Sequence, residues 1–495
     1  MAQLVKIERS LFFHGDTTYP ESAVLQTALW SQDSGRVYPG LDQWPYTPAP
    51  YGPLFYMSLE ALAKATHAGF DHLMILARVA VAACFLLLAF LALRWQRGLD
   101  IPLAAASVAP ALLLSQVDFA DWNVSVRPDL PALFLSFAAF YVLSRRSLTA
   151  RRAALAGVLC ALAGLFKQSF IALPLAAGLW LFLSRRFRHG FIFLGCTAVV
   201  GFSILGWLGW RREPFLQEML LARYSPISAV SAVEMVKADF IRYPAQITML
   251  GLGLLGLILM PVASPMPGGP DRRLRLLCGL YFFLSWATGF YTAMAPGANM
   301  NAFLEAWTIT ATLAPVAVMT LAENWTGLAF PAQAMILLLW IGGMAVSLDL
   351  WRILAEVRGP ASDRLLAEAF RGHRILSDLP YVSAHSEHPE LLDPSVNHYL
   401  EMAGHWSPQP LLDELRENQF DYVVVGLNGG HVREWRGLTL FSDSILREIR
   451  ANYRPVCAAG RFAVLAPRRR AVDNAWPQEA MKQAGCGPVT DSANF

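Results

Sequence analysis

Long apolar runs alternate with short polar connections from about residue 72 to residue 347. About 17 to 25 apolar residues cross a bilayer as helix. Runs near that length stand at 72–93, 101–117, 128–143, 153–165, 169–183, 190–210, 243–263, 274–295, 302–321 and 328–347. The fourth and fifth are short and meet at Phe166-Lys167-Gln168. The pattern predicts an α-helical polytopic membrane protein with about ten transmembrane helices, the bundle occupying 72–349.

The connections alternate in charge. Those at 94–100, 144–152, 184–189 and 271–275 are short and Arg-rich, which makes them cytoplasmic. Those at 118–127, 167–168, 211–242 and 295–301 then lie on the other face. The long one is itself basic, but long loops count little in this rule. An even number of spans places 1–71 and 350–495 together on the outer side. Residues 1–15 contain neither a signal peptide nor a span, so a leading helix is expected ahead of Met1.

The two flanks follow other periodicities. After Glu21, Val24, Leu25, Ala28 and Leu29 recur at helical spacing until Ser34-Gly35. Pro39, Pro45, Pro48, Pro50 and Pro53 then exclude helix and central strand. A helix restarts at Pro53. Glu60 and Lys64 interrupt 52–68, so that helix is expected to lie in the interface, not to span. In the tail 350–495, RILSD, DYVVVGL and RFAVLAP read as strands and PLLDELREN as a helix. They predict a soluble C-terminal α/β domain outside the membrane.

Composition agrees with the span pattern. The 495 residues are 55% hydrophobic and only 16% charged, too apolar for one soluble domain. A net charge of +3 gives no nucleic-acid surface. Cys84, Cys160, Cys196 and Cys278 fall in or beside spans and read as apolar packing residues. Cys457 and Cys486 are in the tail, where oxidation is allowed, but spacing alone does not pair them.

The chemistry gathers at the outer ends of the spans, in Asp16, Glu21, Asp118, Asp121, Arg127, Asp129 and Lys167. Asp129 opens its span in VRPDLPALF, where a carboxylate either caps the helix or serves a site. Lys167 interrupts AGLFKQSFIALP, where a cation either snorkels or marks a functional position. Lys167 beside Arg127 suits a phosphate. Asp118 and Asp121 are spaced DxxD, a weak metal signal. His385, His388 and His398 read as surface histidines, not a metal site, and GLNGGH (426–431) reads as a turn.

One ordered set of motifs carries a resemblance. Glu21 lies in a first outer loop, and fourteen residues later Gly35 opens GRVYP. YGPLFY follows, then Arg78 just inside a span, RPD at 127–129, Lys167-Gln168 with Pro174, and ANMNAFLEAW at 298–307. This order resembles the GT-C glycosyltransferases, in the branch of the protein mannosyltransferases and lipid A aminoarabinose transferases, over about residues 16–321. The tail resembles the periplasmic domains many members carry. The family often has an Asp-Glu pair in its first loop; the matching position here is Pro20-Glu21.

The resemblance implies a transferase that takes a monosaccharide from a polyprenyl-phosphate carrier. The sugar goes to a lipid, glycan or protein acceptor, usually with inversion, on the outer face of a bacterial inner membrane. Breaking a sugar–phosphate bond needs no metal if cations hold the departing phosphate. Lys167, with Arg127 or Arg78, is the expected phosphate contact. Glu21 is the expected base, with Asp129 and Asp121 as further catalytic candidates. Asp16, Tyr46, Tyr51, Tyr56, Gln168, Asn299, Asn301 and Glu305 are expected to line the substrate cavity. No cofactor is implied, though a divalent cation would be compatible with the acidic residues. Alternative readings are a transporter or flippase and a catalytically inactive relative.

Overall fold

The computed structural model describes residues 2–18, 21–41, 46–120, 122–145, 147–220, 227–260, 272–295, 298–324, 362–387, 392–428, 431–435, 438–459, 461–469 and 478–486. The expected span at 328–347, with Asp121 and His388, lies outside them.

The helices in chain order are α1 (Ala2–Leu11), α2 (Glu21–Ser34), α3 (Pro53–Thr66), α4 (Phe70–Gly98), α5 (Leu103–Ala106), α6 (Val108–Ser115), α7 (Val117–Ala120) and α8 (Asp129–Leu143). They continue with α9 (Ala150–Phe166), α10 (Ala172–Leu183), α11 (Phe187–Trp210), α12 (Phe215–Met219), α13 (Ala229–Arg242), α14 (Ala245–Leu259), α15 (Arg272–Ala293) and α16 (Leu304–Asn324). Among the described residues four helices are long and apolar enough to cross a membrane: α4, α11, α15 and the stretch Met300–Met319, a 3-10 turn (Met300–Phe303) leading into α16. The pair α13 and α14, bent by 104° at Tyr243-Pro244, would add a fifth.

The run at 101–117 is not one continuous helix. It divides into α5, α6 and α7. Pro110 lacks the N–H that would bond the Ala106 carbonyl, which weakens continuity at the α5–α6 junction. The run at 243–263 is likewise preceded by α13, which bends away from it.

α16 is central and α11 peripheral. Nine-tenths of the apolar window in α16 is buried (89%), against 11% in α11, whose Phe191, Val199 and Phe202 are exposed as a lipid-facing stripe requires. α14 approaches α16 closely at Gly256. A Cβ there would stand 2.1 Å from the Leu313 carbonyl oxygen. Close approach at small residues is how helices associate where lipid supplies no hydrophobic drive.

The C-terminal residues form a sheet flanked by helices. β1 (Ile375–Ser377) pairs in parallel with β2 (Tyr422–Asn428). The short strands β3 (His431–Val432), β4 (Glu434–Trp435) and β5 (Leu438–Thr439) lie between β2 and the helix Asp443–Asn452. β6 (Tyr453–Ala459) and β7 (Phe462–Pro467) complete the order β1-β2-β7-β6, with β7 antiparallel to both neighbours. Buried side chains cover both faces: Val423, Val425 and Leu465 on one, Val424, Phe462 and Val464 on the other. The first of these cores also contains Leu41 and Tyr46 of the Pro-rich stretch. Cys457 of β6 and Cys486 form a disulfide across a Cα separation of 5.6 Å.

Candidate functional site

The Pro-rich stretch cannot bond to itself as helix or sheet, so its amides need outside partners. Two carboxylates around α12 supply them. Glu213 Oε2 accepts from the amides of Val37 (2.8 Å) and Tyr38 (3.2 Å). Glu218 accepts from Gly40 (2.8 Å) and Ala49 (2.7 Å). Burial pushes the Glu218 carboxyl up to about 8 against these donors. The Tyr38 hydroxyl donates to the Tyr51 carbonyl at 2.9 Å.

The end of the stretch docks where α9 meets α10. Gly52 N–H donates to the Phe166 carbonyl (3.2 Å). A Cβ on Gly52 would stand 2.0 Å from the Leu165 oxygen, so only glycine fits. Gln168 Nε2 donates to the carbonyls of Pro50 (2.7 Å) and Met219 (2.9 Å). Gln168 therefore ties the first loop to α12, beside Lys167.

Two ionic clusters flank residues 125–129. In the first, Arg78 of α4 grips Glu21 at the start of α2: Nε to Oε1 at 2.9 Å and Nη2 to Oε2 at 2.8 Å, both side chains fully buried. Arg78 also donates to the carbonyls of Ser10, Phe13 and Gly15. Glu21 accepts further bonds from Thr17 and from the Val126 amide. Glu21, the expected base, and Arg78, an expected phosphate contact, are thus engaged with each other and with the backbone inside the protein.

Asp16 lies beside that cluster and is partly exposed. Its Oδ1 accepts from the Ser22 amide (2.6 Å) and hydroxyl (2.7 Å). Burial, then the nearby Glu21 charge, raises its carboxyl to about 7.

The second cluster is centred on Asp129, the first residue of α8. Its Oδ1 accepts from Lys167 Nζ (2.5 Å) and Asn301 Nδ2 (2.8 Å), and its Oδ2 meets Arg127 Nε at 3.4 Å. Arg127 stacks over Trp122 (4.7 Å) and approaches Tyr51 (5.4 Å). The cations keep access: the Lys167 side chain is 11% exposed and that of Arg127 13%, against 1% for Asp129. Burial lowers the Lys167 pKa from its ordinary value and Asp129 opposes that effect. Burial raises the Tyr51 phenol to about 12, so it remains a donor at neutral pH.

The structure thus brings together Arg127, Asp129, Lys167, Asn301 and Tyr51, with Gln168 behind them. The other expected lining residues bond or pack largely elsewhere, Tyr56 touching the cluster through Tyr51. Asn299 accepts from the Met300 amide. Glu305 takes Ser136 and Tyr281 hydroxyls within the bundle. Tyr56 packs in a buried aromatic group with Tyr38 and Tyr51. Tyr46 packs into the C-terminal core. Asp118 accepts from Gln116 and Gln246. His385 and His398 are not surface residues; they bond to Tyr381 and Asp71, and to Thr439. Among the described residues no three His, Cys, Asp or Glu side chains converge as a metal would need.

Sequence reasoning missed Glu213 and Glu218. A signal existed for Glu218, a carboxylate inside the apolar run PFLQEML, which calls for donors at the outer face.

No protein-family model and no curated protein matches the sequence. Solved structures do. ArnT from Cupriavidus metallidurans in the apo state aligns over 94% of this chain and 96% of its own, with 12% identity and a TM-score of 0.61. The chain has the GT-C glycosyltransferase fold. The same ArnT bound to undecaprenyl phosphate aligns at TM-score 0.60 with 13% identity, over 94% of this chain and 96% of its own. Oligosaccharyltransferase AglB from Archaeoglobus fulgidus, in complex with an inhibitory peptide and a dolichol-phosphate, aligns over 94% of this chain and 74% of its own (11% identity, TM-score 0.52). With this fold and its long apolar helices, the chain is an integral membrane protein.

Proposed function

We propose that this GT-C protein is a glycosyltransferase that moves a monosaccharide from a polyprenyl-phosphate carrier to an acceptor hydroxyl or amine, with inversion. The observation that carries the reading is two partly exposed cations, Lys167 and Arg127, sharing one buried carboxylate, Asp129. That cluster keeps positive charge available for a phosphate. The ArnT and AglB structures, which hold undecaprenyl phosphate and a dolichol-phosphate, support a lipid-phosphate ligand.

In the reaction the acceptor attacks the anomeric carbon and the bond from that carbon to the phosphate oxygen breaks. The polyprenyl phosphate leaves with the electron pair, its charge held by Lys167, Arg127 and Asn301. The acceptor proton goes to a carboxylate. Asp16 suits that role better than Glu21. It is partly exposed and has a pKa near neutrality, whereas Glu21 is enclosed by five hydrogen bonds, from Arg78 (two), Thr17 (two) and Val126. Asp129 serves as the organiser of the two cations, held at the first turn of α8.

The Cys457–Cys486 disulfide supports an oxidising, extracytoplasmic side for the C-terminal residues. The Arg-rich connections support the same orientation, in a bacterial inner membrane with the site facing outward.

The test is transfer from a labelled polyprenyl-phosphate sugar by the purified protein. Asp16→Asn lowers turnover by roughly 100-fold or more. Wild-type turnover rises with pH through about 7, the value of Asp16, because the base must be ionised. The residual rate of Asp16→Asn lacks that rise. A near-wild-type Asp16→Asn enzyme would move the base elsewhere. Failure of the wild type to consume any such donor would reject the reading.

A further inference from the structure

Glu305 stands in the first turn of α16 and is buried. Its Oε1 accepts from two buried hydroxyls, Ser136 of α8 at 2.6 Å and Tyr281 of α15 at 2.9 Å. The carboxylate also takes the backbone N–H of Leu173, in the first turn of α10. That N–H has no partner within its own helix and can reach outward. Four helices therefore meet at one acid, whose partners are hydroxyls and an amide, with no cation among them.

Three of those helices present the phosphate cluster. Ser136 lies about two turns after Asp129, on the same face of α8. Glu305 lies one turn after Asn301, which stands in the 3-10 turn leading into α16. Leu173 follows the Lys167 turn, where the Lys167 carbonyl accepts from the Phe170 amide at 3.1 Å just before α10 begins. The outer contacts of Asp129 with Asn301 (2.8 Å) and Lys167 (2.5 Å) are thus backed by a second layer of contacts deeper in the same helices. An apolar side chain at 305 would avoid the cost of an acid inside the bundle. It could not accept from three neighbouring helices at once, as the two oxygens of a carboxylate can.

We propose that Glu305 is a positioning residue for the phosphate site: by holding Ser136 and Leu173 it fixes Asp129, Asn301 and the Lys167 turn relative to one another. The proposal rests on the phosphate reading of Lys167 and Arg127. Glu305 itself touches neither donor nor acceptor and acts through the side chains on its outer side. Without this tie α16 and α10 are free to shift against α8, and the groups that face the phosphate oxygens spread apart.

The test is binding of undecaprenyl phosphate to the detergent-solubilised full chain. Glu305→Gln keeps the length of the side chain but sets an NH2 group where a donor must be accepted, so one tie is lost. The expected result is a Kd raised by roughly fivefold to tenfold, the scale of one hydrogen bond. Ser136→Ala frees α8 alone, leaves Tyr281 on the carboxylate, and raises Kd by roughly threefold. In an Asn301→Ala background the Glu305→Gln loss shrinks, because the position of an absent side chain is not felt. A residue that only held the fold would lower the melting temperature and leave the affinity of the folded protein unchanged. A wild-type Kd in Glu305→Gln, whatever its melting temperature, therefore overturns the proposal; if that variant does not fold, a wild-type Kd in Ser136→Ala does so. A loss of the same size with and without Asn301 also overturns it. Undiminished binding by Lys167→Ala overturns the phosphate reading itself, and the proposal with it.

Discussion

Glu21–Arg78 and Asp129–Lys167–Arg127 are adjacent clusters built from the same kinds of side chain. The strand of chain between them is short: Val126 bonds to Glu21, and Arg127 follows it. In the first cluster one carboxylate meets one guanidinium, both are fully buried, and the remaining guanidinium N–H groups go to backbone carbonyls. In the second, two cations share one contacting carboxylate and both stay partly exposed. Saturation and access separate a structural pair from a chemical one; residue type does not.

The largest expected effect breaks the first cluster. Arg78→Met leaves Glu21 as a buried, unpaired charge, which costs about 3–5 kcal/mol. Thermal unfolding in detergent should show the loss. Normal stability with transfer abolished would instead put Arg78 in the chemistry and erase the distinction between the clusters.

A smaller effect sharpens it. Gly52→Ala places a Cβ where the Leu165 carbonyl stands, so the strip carrying Tyr51 must shift away from Arg127. The protein should fold, and the donor KM should rise by roughly tenfold, as for a displaced contact in a tuned site. A donor KM equal to wild type would detach Tyr51 from the donor site.

Part of this was legible in the sequence. Lys167 inside an apolar run and Asp129 at a span start marked themselves by the cost of charge near hydrocarbon, and they meet at 2.5 Å. Pro53 marked the start of α3, which begins there. The pairing of Glu21 with Arg78 was not legible, because the partners are 57 residues apart and periodicity says nothing about such contacts. The prolines show that the stretch from Pro39 to Pro53 is neither helix nor central strand. That it is stapled by Glu213 and Glu218 depends on backbone amides of one segment meeting side chains about 170 residues later. Leu41 and Tyr46 in the C-terminal core show the same limit: tertiary packing joins segments that local pattern keeps apart. The division of 101–117 into α5, α6 and α7 was masked by an apolar composition that hides the effect of Pro110.

Lys167 and Arg127 are proposed to hold a phosphate, whereas Glu21 and Arg78 form a buried pair that holds the fold. The most direct measurement is the thermal shift caused by undecaprenyl phosphate, since a ligand that binds only the folded state raises its melting temperature. Wild type should be stabilised by the lipid phosphate. Lys167→Ala should melt near the wild-type temperature without lipid and lose most of the shift with it. A full shift in Lys167→Ala would contradict the account and leave the cluster around Asp129 without a phosphate role.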